Sequence, residues 1–274
     1  MKKSNLKKIK DKINNIYKTL FKKIITGHLF FLKHTFGIVP ISIKYWNVVR
    51  KIFYYIGLQE PDVLFPAYEI LIGKGDSLKD LELRRILADD ILGEWSLDDE
   101  TITFLWDSLR HDKPRVILEC GAGVSTMILA IYASLASKKY GGDYLIISLE
   151  QNHEVKVQVE ERLKKNNLKH WVKLIYAPLD GKEMYRFDDF SEKSLSKIKV
   201  DWMLIDGPSG SPHCRCAVLP VLLKYCHGGT RWFLDDAFRE GELDVLQRWQ
   251  NIPGIRVEGI YPIGKGLATG RCVV

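Results

Sequence analysis

The pattern of apolar positions changes at Arg115, where short β-like runs begin to alternate with longer segments of helical periodicity. Five runs rich in Val, Ile, Leu and aromatic side chains are predicted as strands, at 115–119, 144–150, 171–176, 200–206 and 230–235. Helical segments such as 125–138 and 154–165 separate them. This alternation predicts a Rossmann-like, doubly wound α/β fold, in which helices cover both faces of a mostly parallel sheet.

The last part of the chain has a different pattern. Two further β-like runs, near 256–261 and 268–273, are joined by a turn rich in Pro and Gly. Such a connection is typical of an antiparallel hairpin. We therefore expect the parallel sheet to end in an antiparallel C-terminal pair.

Residues 1–60 are predicted to form a basic N-terminal extension. Apolar residues recur at helical spacing over 6–25 with lysines between them, which indicates an amphipathic helix. The extension holds 13 Lys and Arg against Asp11 and Glu60, whereas the rest of the chain has a net charge of −4. Such a helix contacts an anionic membrane surface, docks on a partner or packs on its own domain.

The apolar pattern of the extension predicts neither a membrane span nor a signal peptide. Its apolar runs at 29–32 and 36–43 are much shorter than the roughly 20 residues that a spanning helix needs. No small-residue cleavage site follows them. We expect a cytoplasmic protein. Peripheral contact with a membrane surface through residues 1–60 stays an open alternative.

Residues 61–112 are predicted to form a helical cap or substrate region. A loop with Pro and Gly spans 57–76, and a helical pattern follows at 78–92. Ser96 is predicted to begin a further helix, because Asp99 three residues later resembles a capping box. Pro114 is expected to end that helix.

The five cysteines predict no disulfide framework, because they are odd in number and irregularly spaced. His213, Cys214, Cys216, Cys226 and His227 cluster in the sequence. Their spacing matches no standard zinc pattern, and most of them fall on a predicted helix. Ordinary thiols are therefore the favoured interpretation.

Candidate chemistry lies at the carboxyl ends of the predicted strands, where open parallel sheets bind their ligands. Gly121 and Gly123 follow the first strand and open a helix, so the backbone can approach a ligand closely. Glu150 ends the second strand, where a carboxylate can accept both hydroxyls of a ribose. Asp180 follows the third strand and is a candidate contact near an adenine amino group. Acidic residues also end the next two strands: Asp206, then Asp235 and Asp236.

This ordered set resembles the class I methyltransferases that depend on S-adenosyl-L-methionine (SAM). The resemblance covers about residues 95–274 and is nearest to the O-methyltransferase group that includes catechol O-methyltransferase. It implies that residues 113–274 form the SAM-binding domain. It further implies a cofactor loop at Glu119, Gly121, Gly123 and Ser125, a ribose contact at Glu150 and a methyl-transfer pocket at Asp206.

The resemblance also suggests a binding site for a divalent metal ion. Metal-dependent members place an Asp after the fourth strand and an Asp-Asn pair after the fifth, and Asp206, Asp235 and Asp236 stand at the matching positions. Oxygen ligands of this kind suit Mg²⁺. However, those enzymes carry a lysine soon after the fourth-strand Asp, whereas residues 207–210 here are Gly-Pro-Ser-Gly. Metal dependence stays open, and Asp206 and His213 are the candidate bases.

The acceptor expected from the resemblance is a small molecule, a sugar or a lipid-linked compound. A nicotinamide-dependent Rossmann enzyme is disfavoured because Thr126 stands where the third glycine of its fingerprint belongs. A phosphate-loop NTPase is excluded, since no G-K-[ST] follows the first strand. A non-catalytic nucleotide-binding scaffold tethered by the N-terminal helix is a further alternative. Nucleic acid is not an expected partner, because the catalytic half is net acidic.

Overall fold

The protein is described here from a computed structural model. It describes residue 23 and residues 40–55, 97–181, 184–187, 192–193, 195–239 and 241–274. The predicted helices at 6–25 and 78–92 therefore lie outside the described residues, apart from position 23, and the proposed domain boundaries stay predictions. Within the described part of the chain, no helix has the length and apolar character to cross a bilayer.

A seven-stranded sheet with an antiparallel end forms the centre of the fold. In chain order its strands are β1 Val116–Cys120, β2 Leu145–Glu150, β3 Val172–Tyr176, β4 Val200–Ile205, β5 Cys226–Leu234, β6 Ile255–Tyr261 and β7 Leu267–Cys272. The spatial order is β3-β2-β1-β4-β5-β7-β6. The first five pair in parallel, and β7 runs antiparallel to both β5 and β6. The predicted fold class is confirmed, and the strand order reverses between β1 and β4.

Helices pack on both faces of this sheet. The described helices of five or more residues are α1 Ile43–Tyr55, α2 Asp99–Asp112, α3 Val124–Tyr140, α4 His153–Lys165, α5 Val218–Leu222 and α6 Glu242–Trp249. Successive residues of β1 point to opposite faces. Ile117 packs with the α2, α3 and α4 side, and Leu118 packs with the α1, α5 and α6 side.

The helix before β1 begins later than predicted. Asp98, and not Ser96, is its N-cap: the Asp98 carboxylate accepts the Thr101 backbone N–H at 2.9 Å and the Thr101 hydroxyl at 2.9 Å. A carboxylate satisfies the exposed N–H groups of a first turn as well as serine does and also complements the helix dipole. The helix ends as expected just before Pro114, with Lys113 in the left-handed conformation.

The fifth strand is longer than predicted at its start. It begins at Cys226 and not at Thr230, because the strand accommodates Gly228 and Gly229 with a register shift opposite Val200–Trp202. Gly229 has a φ of 102°, which glycine adopts readily. Cys226 and His227 consequently lie in a strand, and His213, Cys214 and Cys216 lie in the turn before α5. The prediction that most of this set falls on a helix is therefore wrong.

Helix α1 falls within the predicted extension and packs on the domain that follows. The Trp46 ring contacts the Phe238 ring with centroids 4.5 Å apart. Arg50 forms an ion pair with Asp244 of α6 at 2.7 Å. Helix α1 thus packs on the chain's own core through Trp46 and Arg50. The alternatives for the predicted helix at 6–25 stay open, because that segment lies outside the described residues.

Candidate active site at the strand tips

The loop after β1 is built on one glycine that the backbone requires and one that faces open space. Gly121 has a φ of 89°, and a Cβ placed there would lie 3.0 Å from the backbone nitrogen of Gly207. Its N–H donates to the carbonyl of Leu149 at 2.8 Å. Gly123 is extended, and a Cβ placed there meets nothing within 4 Å. Gly121 therefore shapes the loop, while Gly123 borders the space beside it.

Glu119 anchors this loop from below. Its carboxylate is fully buried, and Oε2 accepts the hydroxyls of Thr126 and Ser148, both at 2.6 Å. Thr126 in turn accepts the N–H of Gly123 at 3.0 Å. Burial raises the pKa of Glu119 to about 7, against hydrogen bonds from Ser125, Ser148 and Thr126 that lower it. Ser125 therefore acts on Glu119, and its predicted cofactor contact stays a prediction.

Glu150 lies directly beside the glycine loop. Its Oε2 accepts the N–H of Ala122 at 2.8 Å, and its Oε1 accepts the N–H of Asn152 at 2.6 Å. Burial raises its pKa, although these backbone hydrogen bonds lower it. The backbone of Gln151 is a third donor to this carboxylate. A carboxylate offers about four lone-pair sites, so Glu150 keeps one for a further donor.

The loop after β4 is hydrogen-bonded to the same assembly. The carbonyl of Cys120 accepts the N–H of Asp206 at 2.9 Å and the N–H of Gly207 at 2.7 Å. The side chain of Gln151 forms two hydrogen bonds with the backbone of Ser209, at 2.9 and 3.0 Å. The tips of β1, β2 and β4 are therefore joined, and Gly121, Glu150 and Asp206 converge as predicted.

The connection after β3 brings a tyrosine over these tips. Tyr185 pairs with Leu179, and its hydroxyl lies 2.5 Å from the position that a Cβ on Gly207 would take. The hydroxyl is buried and has no hydrogen-bond partner in the described structure. Asp180 holds the turn before it, accepting the Met184 N–H at 3.0 Å. The predicted adenine contact of Asp180 stays a prediction.

The carboxylates predicted at the ends of β4 and β5 come together around an arginine. Asp206, Asp235 and Asp236 are, within the described residues, the one group of three or more His, Cys, Asp and Glu side chains whose ligand atoms lie within 4.8 Å of one another. Arg215 lies among them with 2% of its side chain exposed. Its Nη2 is 3.5 Å from Asp206 Oδ1 and 3.4 Å from Asp236 Oδ2.

Backbone carbonyls fix the same guanidinium. Arg215 Nη1 donates to the carbonyl of Asp235 at 2.8 Å, and Nε donates to the carbonyl of Pro208 at 3.4 Å. Nη2 also donates to the carbonyl of Asp206. Arg215 therefore ties the loop after β4 to the tip of β5.

Further charges surround Asp236, whose backbone is left-handed with a φ of 55°. Arg239 Nη2 lies 3.0 Å from Asp236 Oδ2, and Lys265 Nζ lies 4.0 Å from Oδ1. Glu242 is buried nearby, and burial raises its pKa against the charges of Arg215 and Arg239. The cluster thus contains three cationic side chains among its carboxylates.

Asp206 is the member of the carboxylate trio most open to the cleft, with 23% of its side chain exposed. Burial raises its pKa to about 6, and the positive charge of Arg215 opposes that rise. Burial and the charges of Asp236 and Asp206 raise the pKa of Asp235 well above its ordinary range. At neutral pH, Asp206 can therefore be ionised and accept a proton.

His213, the other candidate base, lies at the rim and not at the centre of this cluster. Its Nε2 is 3.4 Å from Asp244 Oδ2, and Asp244 is shared with Arg50. Its backbone is left-handed, with a φ of 75°. The catalytic role of His213 stays a prediction. The five Cys and His residues that cluster in the sequence between 213 and 227 do not form a group of possible metal ligands within the described residues.

Arg215 and Glu242 were missed by the sequence analysis. Arg215 stands in a Cys-Arg-Cys context, and its partners Asp206 and Asp236 belong to two different strand tips. The sequence offered one sign of its burial: Arg215 lies two residues before the apolar run Ala217–Leu219. An arginine buried with such a run needs charged or polar partners.

Comparison with known proteins supports the fold. No family model matches this chain, and no curated protein matches it. Among solved structures it is similar to cofactor-bound Rv0187 from MTB, at 16% identity over 78% of this chain and 97% of that chain, with a TM-score of 0.50. The two chains share a fold. At this identity the likeness extends no further, and function is argued below from the side chains.

Two other solved structures are similar at slightly lower scores. One is the O-methyltransferase from Bacillus cereus in complex with SAH, at 17% identity over 84% of this chain and 100% of that chain, with a TM-score of 0.49. The other is a methyltransferase from Geobacter sulfurreducens, at 16% identity over 85% of this chain and 100% of that chain, also with a TM-score of 0.49.

Proposed function

We propose that this protein is a SAM-dependent methyltransferase that methylates a hydroxyl oxygen of a small-molecule acceptor. The observation that carries the proposal is the contact between Glu150 and the loop at Ala122. It fixes a buried carboxylate beside the two glycines at the point where the strand order reverses, which is where open α/β sheets bind nucleosides.

The residues present fit a SAM molecule. Backbone donors orient both carboxylate oxygens of Glu150, and the carboxylate keeps a lone-pair site for a ribose hydroxyl. Gly123 leaves room beside them. The buried Tyr185 hydroxyl lacks a partner in the described structure and is available to a polar ligand or water. Rv0187, which shares the fold, was solved with its cofactor bound.

Bound SAM supplies a methyl group already activated on a positive sulfur. The chain's own contribution is to position the acceptor and remove its proton. Orienting two reactants is worth on the order of 7–11 kcal/mol in well-aligned systems. Asp206 accepts the hydroxyl proton on a carboxylate oxygen, because it is partly open to the cleft and ionised near neutral pH.

A methyl-transfer assay tests this proposal. Purified full-length protein is incubated with methyl-labelled SAM and a panel of hydroxylated small molecules, sugars and lipid-linked sugars. We expect transfer to at least one class, with kcat reduced by about 10²–10⁴-fold in Asp206→Asn, the usual contribution of a general base. Asp201→Asn, at the opposite end of β4, is the matched control.

The non-catalytic scaffold is the competing function, and the same material distinguishes it. A scaffold binds SAM or another nucleoside without transferring a methyl group to any acceptor class. If SAM binds and the whole panel stays unmethylated, binding is supported and catalysis is not. If Asp206→Asn retains full kcat, the assignment of the base is wrong.

A further inference from the structure

The carboxylate trio at the tips of β4 and β5 has the composition of a divalent-metal site, yet it already contains a cation. We propose that Arg215 takes the place of a metal ion in this site, so that the protein works without a divalent metal and the guanidinium positions Asp206. The role of Asp206 as base rests on the proposed function. The exclusion of a metal ion does not rest on the proposed function.

The distances around Arg215 leave no room for a metal ion between Asp206 Oδ1 and Asp236 Oδ2 while the guanidinium is there. Mg²⁺ binds oxygen at about 2.0–2.1 Å in a nearly octahedral shell. Arg215 Nη2 lies 3.5 Å from Asp206 Oδ1 and 3.4 Å from Asp236 Oδ2. The guanidinium therefore occupies the space between these two oxygens, and an ion bound to both of them would have to displace it.

Arg215 is held in place by groups that cannot turn away. Three of its contacts are to backbone carbonyls, those of Asp206, Pro208 and Asp235. Its side chain is 2% exposed. Arginine stays protonated throughout the range of pH in which proteins fold. Removing it would leave buried carboxylates and carbonyls without their donor, which is costly.

The remaining charges also disfavour a dication. Arg239 lies 3.0 Å from Asp236 Oδ2, and Lys265 lies 4.0 Å from Asp236 Oδ1. A dication bound to Asp236 would lie near both of these positive side chains, which repel it. The trio is already surrounded by three positive side chains, so a divalent ion would add charge where the carboxylates are balanced.

The same contacts make Arg215 a positioning residue. Its Nη2 reaches both the carbonyl and the Oδ1 of Asp206, while its Nη1 holds the carbonyl of Asp235. The guanidinium thus sets the orientation of the Asp206 carboxylate relative to the tip of β5. Lysine cannot reproduce this, because an ammonium lacks the planar fork that binds several oxygens at once.

Metal binding tests the inference directly. Mn²⁺ is titrated into EDTA-treated full-length protein, without SAM or acceptor, and free Mn²⁺ is followed by electron paramagnetic resonance. We expect that the wild-type protein does not bind Mn²⁺ stoichiometrically at this site, even at millimolar Mn²⁺. We expect Arg215→Met to bind one Mn²⁺, and the double variant Arg215→Met/Asp236→Asn to bind at least tenfold more weakly.

Each outcome decides the inference. Stoichiometric Mn²⁺ binding by wild type that is lost in Asp236→Asn overturns it, and this measurement stands even if Arg215→Met fails to fold. A folded Arg215→Met that still excludes Mn²⁺ shows that Arg215 does not take the place of the metal. Failure to detect methyl transfer leaves these results unchanged and counts against the proposed function alone.

The positioning role has its own readout. Arg215→Lys keeps the charge and should keep Mn²⁺ excluded, but we expect its kcat to fall at least tenfold with SAM affinity unchanged. Wild-type transfer should be unaffected by EDTA. If Arg215→Lys retains full kcat, or if EDTA abolishes wild-type transfer and Mn²⁺ restores it, the inference is wrong.

Discussion

The backbone N–H of Ala122 donates to Glu150 Oε2 across 2.8 Å and joins the glycine loop after β1 to the tip of β2. Asn152 fixes the other carboxylate oxygen. The carboxylate is thus oriented before any ligand arrives, which reduces the entropy that binding must overcome. A loop and an acidic residue 28 positions apart in sequence thus form one hydrogen-bonded unit.

The two glycines of the loop should respond differently to alanine. Gly121→Ala should destabilise the fold by about 1–2 kcal/mol or more, because left-handed backbone disfavours a Cβ and Gly207 lies in its way. Gly123→Ala should leave unfolding unchanged and weaken SAM binding, since its Cβ points into open space. Urea unfolding and calorimetry measure both. Equal loss of stability in the two variants would contradict this division.

Tyr185→Phe should separate stability from binding. An unsatisfied buried hydroxyl costs about 1–3 kcal/mol, so its removal should raise the free energy of unfolding of the ligand-free protein by about 1 kcal/mol. If the hydroxyl serves the ligand, SAM or acceptor affinity should fall in the same variant. Tyr140→Phe, on an exposed ring, is the control. No change in either quantity would remove Tyr185 from the site.

The rate should depend on pH through Asp206. Its pKa is raised to about 6 by burial, and a general base must be deprotonated to act. We expect kcat/KM to rise as pH increases through about 6 and then to level off. The measurement is a pH profile of methyl transfer from pH 5 to 8.5 at constant ionic strength. A profile that is flat between pH 5 and 7 would rule out Asp206 as the base.

Stability should fall as pH rises through the range in which Glu119 ionises. Its pKa is about 7 in the fold against 4.5 ordinarily, so the folded state binds the extra proton and the stabilisation is lost as pH rises from about 4.5 to 7. The contribution of this residue is about 3–3.5 kcal/mol. Glu119→Gln should show a flatter dependence in urea unfolding at pH 5 and 8. An equally steep dependence in the variant would contradict this cause.

The sequence predicted what depends on local pattern. Strand positions followed from short apolar runs between helices, and the convergence of Gly121, Glu150 and Asp206 followed from the rule that parallel strands end at one edge. The placement of Arg215 did not follow, because its contacts reach Asp206, 9 residues away, and Asp236, 21 residues away, on two different strand tips. Periodicity carries no information about such contacts.

Boundaries set by competing caps were also beyond the sequence. Ser96 and Asp98 are both good N-cap residues, and only the packing of Leu97 in the core and the two bonds to Thr101 select Asp98. Likewise, the fifth strand was predicted to begin at Thr230, whereas pairing with β4 extends the strand through Gly228 and Gly229.

SAM binding by isothermal titration calorimetry tests the central claim most directly. Wild-type protein is compared with Glu150→Ala, and with Glu154→Ala, an exposed residue in the first turn of α4, as the control. We predict one SAM per chain for wild type and the control, and affinity at least tenfold weaker in Glu150→Ala. Unchanged affinity in Glu150→Ala, or no SAM binding by folded wild type, would contradict the assignment of this site.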